Sequence, residues 1–157
     1  MPGLLNQQIR PPVQPQAQQQ RQAQGQQPSP EQQDQHKILV SGAIRLMHGK
    51  ARDDIIKSLG AGDPVQTVAN EAVKIIERLE HEATQAGNPV DPRVLLGGAQ
   101  EIIENVIELG VTAGAIEQMG DSQKIEVAKY AAGLYMQNAQ QSGKVSQQDM
   151  QALAGGA

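Results

Sequence analysis

The sequence predicts an all-α protein: a small bundle of about five to six helices, preceded by a Gln/Pro-rich N-terminal arm that is disordered or extended. Glutamine and proline dominate up to about residue 28, and helix-forming aliphatic and small residues follow. In that second part the apolar residues recur at intervals of three and four, which is the helical rhythm, and no alternating run typical of a strand appears. We therefore expect an arm at residues 1–28 and a helical bundle domain at residues 29–157.

The arm has the composition of a segment that does not fold alone. Its apolar side chains are too few to offset the cost of ordering the backbone, which is about 1–2 kcal/mol per residue. Two alternatives remain: a solvated linker, or a segment that becomes ordered on a protein partner. In the second case its apolar residues make the contacts, and these are Leu4, Leu5, Ile9 and Val13.

Capping residues and glycines divide the body into helices. A capping side chain directly precedes a proline at Ser29-Pro30, Asp63-Pro64 and Asp91-Pro92, and proline suits the first helical position because the N–H that it lacks has no intrahelical acceptor there. Two further starts are expected, at Asp121-Ser122 and at Ser146, where Asp149 completes a capping box. The expected stops, at residues that reach the left-handed conformation at little cost, are Gly49, Gly60, Gly87, Gly110, Gly120 and Gly143.

The apolar spacing assigns a role to each helix. Ile38 to Met47 is a first amphipathic helix and Ala51 to Leu59 a short second one. The third helix has one buried stripe and lies on the outside of the bundle, with Glu71 on its surface. The fourth, Pro92 to Leu109, has a wide apolar face and is the central helix. The predicted stripes are Val65, Val68, Ala72, Ile75 or Ile76, Leu79, Ala83 and Ala86 in the third helix, and Leu95, Ala99, Ile102, Val106 and Leu109, widened by Leu96, Ile103 and Ile107, in the fourth.

The fifth helix is expected to bury Ile125, Ala128, Ala132, Tyr135 and Ala139, with Val127, Ala131 and Leu134 beside this stripe. Its small residues allow a close helix approach. The chain has two tyrosines and no Phe or Trp, so aliphatic residues must form the core and an isolated monomer has a slim stability margin. We expect self-association or docking on a partner to compensate for the slim stability margin. Tyr130 and Tyr135 either anchor an interface or pack in the bundle with the hydroxyl at its rim.

Composition argues against several classes of function. The formal charge of −4 disfavours direct nucleic-acid binding, which needs clustered Lys and Arg. The chain has no cysteine, no visible secretory signal and no apolar run of the roughly 20 residues that a membrane helix needs. We expect no transmembrane segment.

Candidate chemistry is sparse, and we expect no enzyme, cofactor, metal site or small-molecule substrate. Glu77 and His81 share a helix face, but a solvated pair is preferred to a pair of metal ligands. Glu101, Glu104 and Glu108 fit the solvated side of an amphipathic helix. Gly97-Gly98 lies within a helix pattern and not after a strand, so it is no phosphate loop.

Three segments carry a resemblance to a known group of proteins. The run "DPVQTVANEAVKIIERLE", then "VLLGGAQEIIENVIELG" and "VAKYAAGLYMQ", resembles small helical structural proteins encoded by tailed bacteriophages, over about residues 37–142. The resemblance implies a virion component, near the portal, neck or tail or ejected with the genome. It implies a homo-oligomer that contacts other virion proteins and is made in the host bacterial cytoplasm. The alternative is a non-virion regulatory or chaperone-like adaptor that binds one protein partner.

The arm assignment makes a prediction for the isolated monomer. Limited proteolysis should cut at Arg10 and Arg21 well before any site beyond Lys37, because an unfolded segment fits a protease site and a packed helix does not. Trypsin reports on Arg21, and an arginine-specific protease that accepts a following proline reports on Arg10, because Pro11 blocks trypsin there. A time course resolved by mass spectrometry measures this. Protection of both arginines equal to that of the body would contradict the arm assignment.

Overall fold

A computed structural model describes residues 27–144, and this part of the chain is all-helical. Its helices are α1 (Pro30–Met47), α2 (Arg52–Leu59), α3 (Pro64–Gln85), α4 (Pro92–Thr112) and α5 (Asp121–Gln141). The described range contains no strand, so the prediction of a small all-α bundle is confirmed. Leu4, Leu5, Ile9, Val13 and the helix start expected at Ser146 lie outside the described residues.

The four helix starts predicted at capping signals within residues 27–144 are confirmed, three of them with their caps. Ser29 Oγ accepts the backbone N–H three residues on at 3.2 Å, and Asp63 does the same at 3.1 Å. Asp91 accepts the N–H two residues on at 2.7 Å. Each cap precedes a proline at the first helical position. The start of α5 at Asp121 has Gly120 as its N-cap residue, so Gly120 is not the stop that the sequence suggested.

The end of α4 differs from the prediction. Gly87 and Gly143 follow helix ends with φ of 79° and 70°, as expected of left-handed terminating glycines. Gly110, however, lies inside α4, which continues to Thr112 and is followed by Gly114 with φ 69°. The reason for glycine at position 110 is packing. A Cβ there would lie 2.9 Å from the Ile116 side chain and 3.1 Å from that of Leu59.

The arrangement of the helices corrects one predicted role. α3 packs against α1, α2, α4 and α5, so it is not an outer helix. α4 also contacts all the others, as its wide apolar face predicted. The two form a central pair, with α1 mainly on α4 and α5 mainly on α3. The prediction for α3 was wrong because its buried face is broader than one stripe and includes Ala69, Val73, Ile75 and Ile76 together.

A buried carboxylate explains part of that breadth. Glu71 was expected on the surface, but only 6% of it is exposed. Ser58 Oγ at the end of α2 donates to Glu71 Oε1 at 2.6 Å, and Lys74 Nζ donates to the same oxygen at 2.8 Å. Because a buried charge needs partners of this kind, the site ties α2 to α3.

The core is aliphatic, and small residues let the helices approach one another. A Cβ on Gly98 would lie 2.5 Å from Leu39 Cδ2, so α1 and α4 cross where α4 has no side chain. Gly42 of α1 accommodates Leu79 of α3 in the same way, with a distance of 2.9 Å. The core residues are Leu39, Ala43, Met47, Ile55, Leu59, Val68, Ala69, Ala72, Val73, Ile75, Ile76, Val94, Leu95, Ile102, Ile103, Val106, Ile107, Leu109, Ile116, Met119, Val127 and Ala131.

One member of the predicted face of α4 is outside the core. Leu96 is 77% exposed, although the sequence placed it beside Ile103 and Ile107, which are both buried. The face is therefore narrower at its N-terminal end than the apolar pattern suggests.

The buried environment of Ile103 and the exposed one of Leu96 predict a large and a small loss of stability when each residue is replaced by alanine. Ile103 is 6% exposed, so Ile103→Ala should lower the free energy of unfolding by about 2–5 kcal/mol through lost burial and a cavity. Leu96→Ala is the matched control, expected to cost less than about 0.5 kcal/mol. Urea unfolding followed by circular dichroism measures both. Similar losses for the two variants would show that this face of α4 is wrongly placed.

Candidate protein-interaction site

The outer side of α5 presents apolar residues that the described part of the chain leaves uncovered. Ile125 is 56% exposed, and Ala128 and Ala132 are also exposed. The side that packs on α3 carries Val127 and Ala131, both buried. The prediction for this helix was wrong in its orientation, since the stripe assigned to the core faces outward in its first three members and the residues placed beside it face inward.

Helix geometry explains why the sequence did not distinguish the two sides. Ile125 and Val127 are separated by two positions, which is about 200° around a helix with 3.6 residues per turn. Each belongs to a series with three- and four-residue spacing, so each series satisfies the rule for a buried face. Only the contacts with α3 show which of them belongs to the core.

A shallow concavity of about 530 Å³ lies next to the outward series, between the first turn of α3 and α5. Tyr130, 43% exposed, stands at this concavity. The other lining residues are Asp63, Val65, Gln66, Glu126 and Lys129. We call Ile125, Glu126, Ala128, Lys129, Tyr130 and Ala132 together the α5 outer face. It combines apolar area, an aromatic ring and one charge of each sign.

Polar contacts with α3 fix the orientation of α5. Tyr135 Oη donates to Glu80 Oε2 at 3.0 Å, and Lys144 Nζ donates to the same oxygen at 3.2 Å. Asn138 Nδ2 donates to Glu77 Oε1 at 2.9 Å. These bonds lie in the C-terminal half of α5 and just beyond its end, and rotation of the helix about its axis would break them. The outer face is thus held toward solvent by the opposite side of the same helix.

The two tyrosines named as interaction candidates occupy different environments. Tyr130 is accessible at the concavity, whereas Tyr135 is half-buried and bound to α3. Burial raises the pKa of the Tyr135 hydroxyl well above its usual value, and the negative charge of Glu80 raises it further. Tyr135 therefore remains a hydrogen-bond donor in the bundle, and Tyr130 is the one available to a partner.

Other candidate side chains do not converge on one place. His81 is exposed, and its neighbour Glu77 is engaged by Asn138. Within residues 27–144 no group of three or more His, Cys, Asp or Glu side chains is arranged to hold a metal ion. Glu104 and Glu108 are exposed on α4, as predicted.

A groove of about 380 Å³ runs between the first turns of α1 and α4, where the described chain begins. Asp91 organises this region through three hydrogen bonds. Its carboxylate caps α4 and also accepts a bond from Gln32 Nε2 at 3.3 Å. Its backbone N–H donates to Gln35 Oε1 at 3.1 Å. The backbone N–H of Arg93 and the Gln32 amide hold the pKa of Asp91 below its ordinary value. The groove residues are Pro28, Gln32, Gln33, His36, Lys37, Arg93, Val94 and Gly97. Pro28, directly before α1, thus lies at the contact of α1 with α4.

Comparison with protein-family models, curated proteins and solved structures finds no match to this chain. Among the helices of residues 27–144, none combines the length and the apolar character needed to cross a membrane.

The environment of Tyr135 predicts a pH dependence of stability. A folded-state pKa above the unfolded value of about 10 means that the folded protein holds this proton more tightly, so the contribution is complete below pH 10 and is lost as the pH rises further. Tyr135→Phe should reduce the fall in unfolding free energy between about pH 9.5 and 11.5. Lysine titration is common to both proteins and cancels in the difference.

Denaturant unfolding at several pH values measures this, and Tyr130→Phe is the matched control, because it removes the hydroxyl of the accessible tyrosine. Equal slopes for wild type and Tyr135→Phe would contradict the assigned environment.

Proposed function

We propose that this chain is a non-enzymatic structural or assembly component of a tailed-phage virion, present in several copies and acting through protein–protein contacts. The observation that carries the proposal is the α5 outer face. Burying apolar surface contributes about 25 cal/mol per Å², and a small bundle with an aliphatic core gains from burying this face against a neighbour. The resemblance of residues 37–142 to phage structural proteins supports the same role.

Large apolar side chains are exposed on more than one helix. Ile38 of α1 is 73% exposed and Leu96 of α4 is 77% exposed, in addition to Ile125 and Tyr130 of α5. Single exposed apolar residues are ordinary, but their presence on three helices provides contact points in several directions. A subunit that is surrounded by neighbours in an assembly has this distribution.

The arm supplies a second mode of contact. It joins the bundle at α1, which packs mainly on α4, whereas the α5 outer face belongs to a helix packed mainly on α3. An extended segment can cover a large area of a neighbouring subunit and hold copies in register. We propose that arm and outer face engage different neighbours, other copies of the chain or other virion proteins, at the portal, neck or tail or among ejected proteins.

A different role is favoured by the groove between α1 and α4. A concavity of about 380 Å³ at the base of the arm would suit a regulatory or chaperone-like adaptor that holds one protein partner. Copy number separates the two roles. A virion component appears at fixed stoichiometry in purified particles, whereas an adaptor is lost during purification.

Quantitative mass spectrometry of gradient-purified particles tests the proposal. The expected result is a constant ratio of this chain to the major capsid protein across independent preparations. Absence from particles that are otherwise complete would favour the adaptor.

Removal of the arm should separate folding from assembly. Deleting residues 2–28 should leave the helical content of the body unchanged, because every helix from Pro30 to Gln141 lies beyond the deletion. Incorporation into particles should fall, since about 3 kcal/mol of lost contact lowers affinity more than a hundredfold. Circular dichroism and recovery in particles measure the two effects.

A matched control keeps the length of the arm and replaces Leu4, Leu5, Ile9 and Val13 with serine. If apolar contacts carry the effect, this variant behaves like the deletion. Normal assembly of the deleted chain would make the arm a passive linker.

A further inference from the structure

The chemistry of the α5 outer face complements itself. We propose that two copies of this chain pair through their α5 outer faces, antiparallel and related by a two-fold axis that passes between Ala128 and Lys129. The inference deepens the proposed multi-copy role by naming one contact and its occupant, and it rests on that role. An isologous contact of this kind requires each feature of the face to meet a suitable feature of the same face in reverse order.

The apolar part of the face meets this requirement. Ile125 and Ala132 are seven residues apart, about two helical turns, so both lie on the outward side of α5. The proposed axis lies midway between them. It sets Ile125 of each copy opposite Ala132 of the other, a large side chain against a small one, and the exposed Gly133 beside Ala132 leaves further room. The two helix axes can then approach to the about 8–10 Å that is typical of packed helices.

The charged part of the face also meets the requirement for self-complementarity. Glu126 and Lys129 line the same concavity, so they share one flank of the outer face. Neither makes an ion pair with another described residue. In the antiparallel arrangement this flank meets the same flank of the second copy, which brings Glu126 of each copy toward Lys129 of the other. A parallel arrangement would turn this flank away from the same flank of the second copy and leave Glu126 and Lys129 without each other, so charge selects the antiparallel one.

The concavity gives Tyr130 a place in the contact. Because the same flanks meet, the two concavities face each other across the axis. Each Tyr130 then lies against the concavity of the second copy, beside Val65 and Gln66. Aromatic side chains near the centre of a contact contribute a large share of binding energy.

The size of the contact indicates its strength. A helix of 21 residues is about 32 Å long, and a contact along one such helix is smaller than the roughly 800 Å² per partner of a stable interface. We therefore expect a weak, concentration-dependent dimer in solution. In an assembly where other contacts hold the copies together, the high local concentration causes nearly all copies to form this contact.

Two other occupants of the face are distinguished by the test. Residues 145–157 follow α5 directly along the chain, and a different virion protein is the second possibility. If residues 145–157 cover the face, the full chain stays monomeric and deletion of these residues produces a dimer. If a different virion protein covers it, the full chain and the shortened chain both stay monomeric. Either result overturns the proposal.

Sedimentation equilibrium of the full chain over a range of concentrations is the primary measurement. Ile125→Glu should raise the dimer dissociation constant by more than about tenfold, since it places two carboxylates against apolar surface across the axis. Leu96→Glu is the matched control, because it makes the same change at an exposed apolar site on α4. It should leave the constant within about twofold, the scale of changes in exposed charges. Equal weakening by both variants would overturn the assignment to α5.

Charge reversal tests the orientation independently of apolar packing. Glu126→Lys and Lys129→Glu should each weaken the dimer by about threefold or more, and the double variant should restore the wild-type constant, because the crossed pairs reform with opposite signs. Additive weakening in the double variant would exclude the antiparallel register.

The absence of native cysteine makes a position-specific cross-link possible. Ala128→Cys places one thiol next to the axis, where two Cα atoms can come within the about 4.4–6.8 Å that a disulfide needs. It should form a covalent dimer under mild oxidation, and Gln100→Cys on the exposed side of α4 should not. Cross-linking at Gln100 alone would overturn the proposal. Absence of the chain from particles would instead defeat the virion role while leaving a solution dimer intact, so the two failures are distinguishable.

Discussion

Close approach of helices at small residues is the constraint on which the rest of the structure depends. Aliphatic side chains reach less far than aromatic rings, so a core without Phe or Trp closes only if the backbones come nearer together. Gly98 receives Leu39 where α1 crosses α4, Gly42 receives Leu79 of α3, and Gly110 receives Ile116. The central pair of α3 and α4 can therefore contact every other helix of the described chain, and the remaining apolar residues, Ile125 among them, are left for surfaces.

Local chemistry made the helix starts predictable. Ser29, Asp63 and Asp91 each satisfy a backbone N–H of the turn that follows, and a proline fixes the next residue, so no distant contact is needed to specify those positions. The features that sequence did not predict depend on contacts between distant segments. Glu71 is buried where Ser58 of α2 donates to it, and Gly110 lies inside α4 where Ile116 packs against it. Neither contact leaves a periodic mark along the chain.

The sequence identified both tyrosines as candidates for the site, but it did not predict their environments, because these depend on contacts between distant segments. Composition singled out Tyr130 and Tyr135, but it could not tell that one would be accessible and the other bound to Glu80. Ile125 was expected in the core because its spacing is that of a core residue. An apolar series that matches the rule for burial and yet faces outward is what a helix with a second partner would show, and this links the error in prediction to the proposed contact.

The capping site at Asp91 has a mechanical consequence. A pull on the first residues of the chain would enter the bundle at Pro28 and the first turn of α1. There Gln32 and Gln35 are bonded to Asp91, which also begins α4, so tension would be divided between two helices at once. A load applied at the N-terminal end of the bundle is therefore carried by α1 and α4 together.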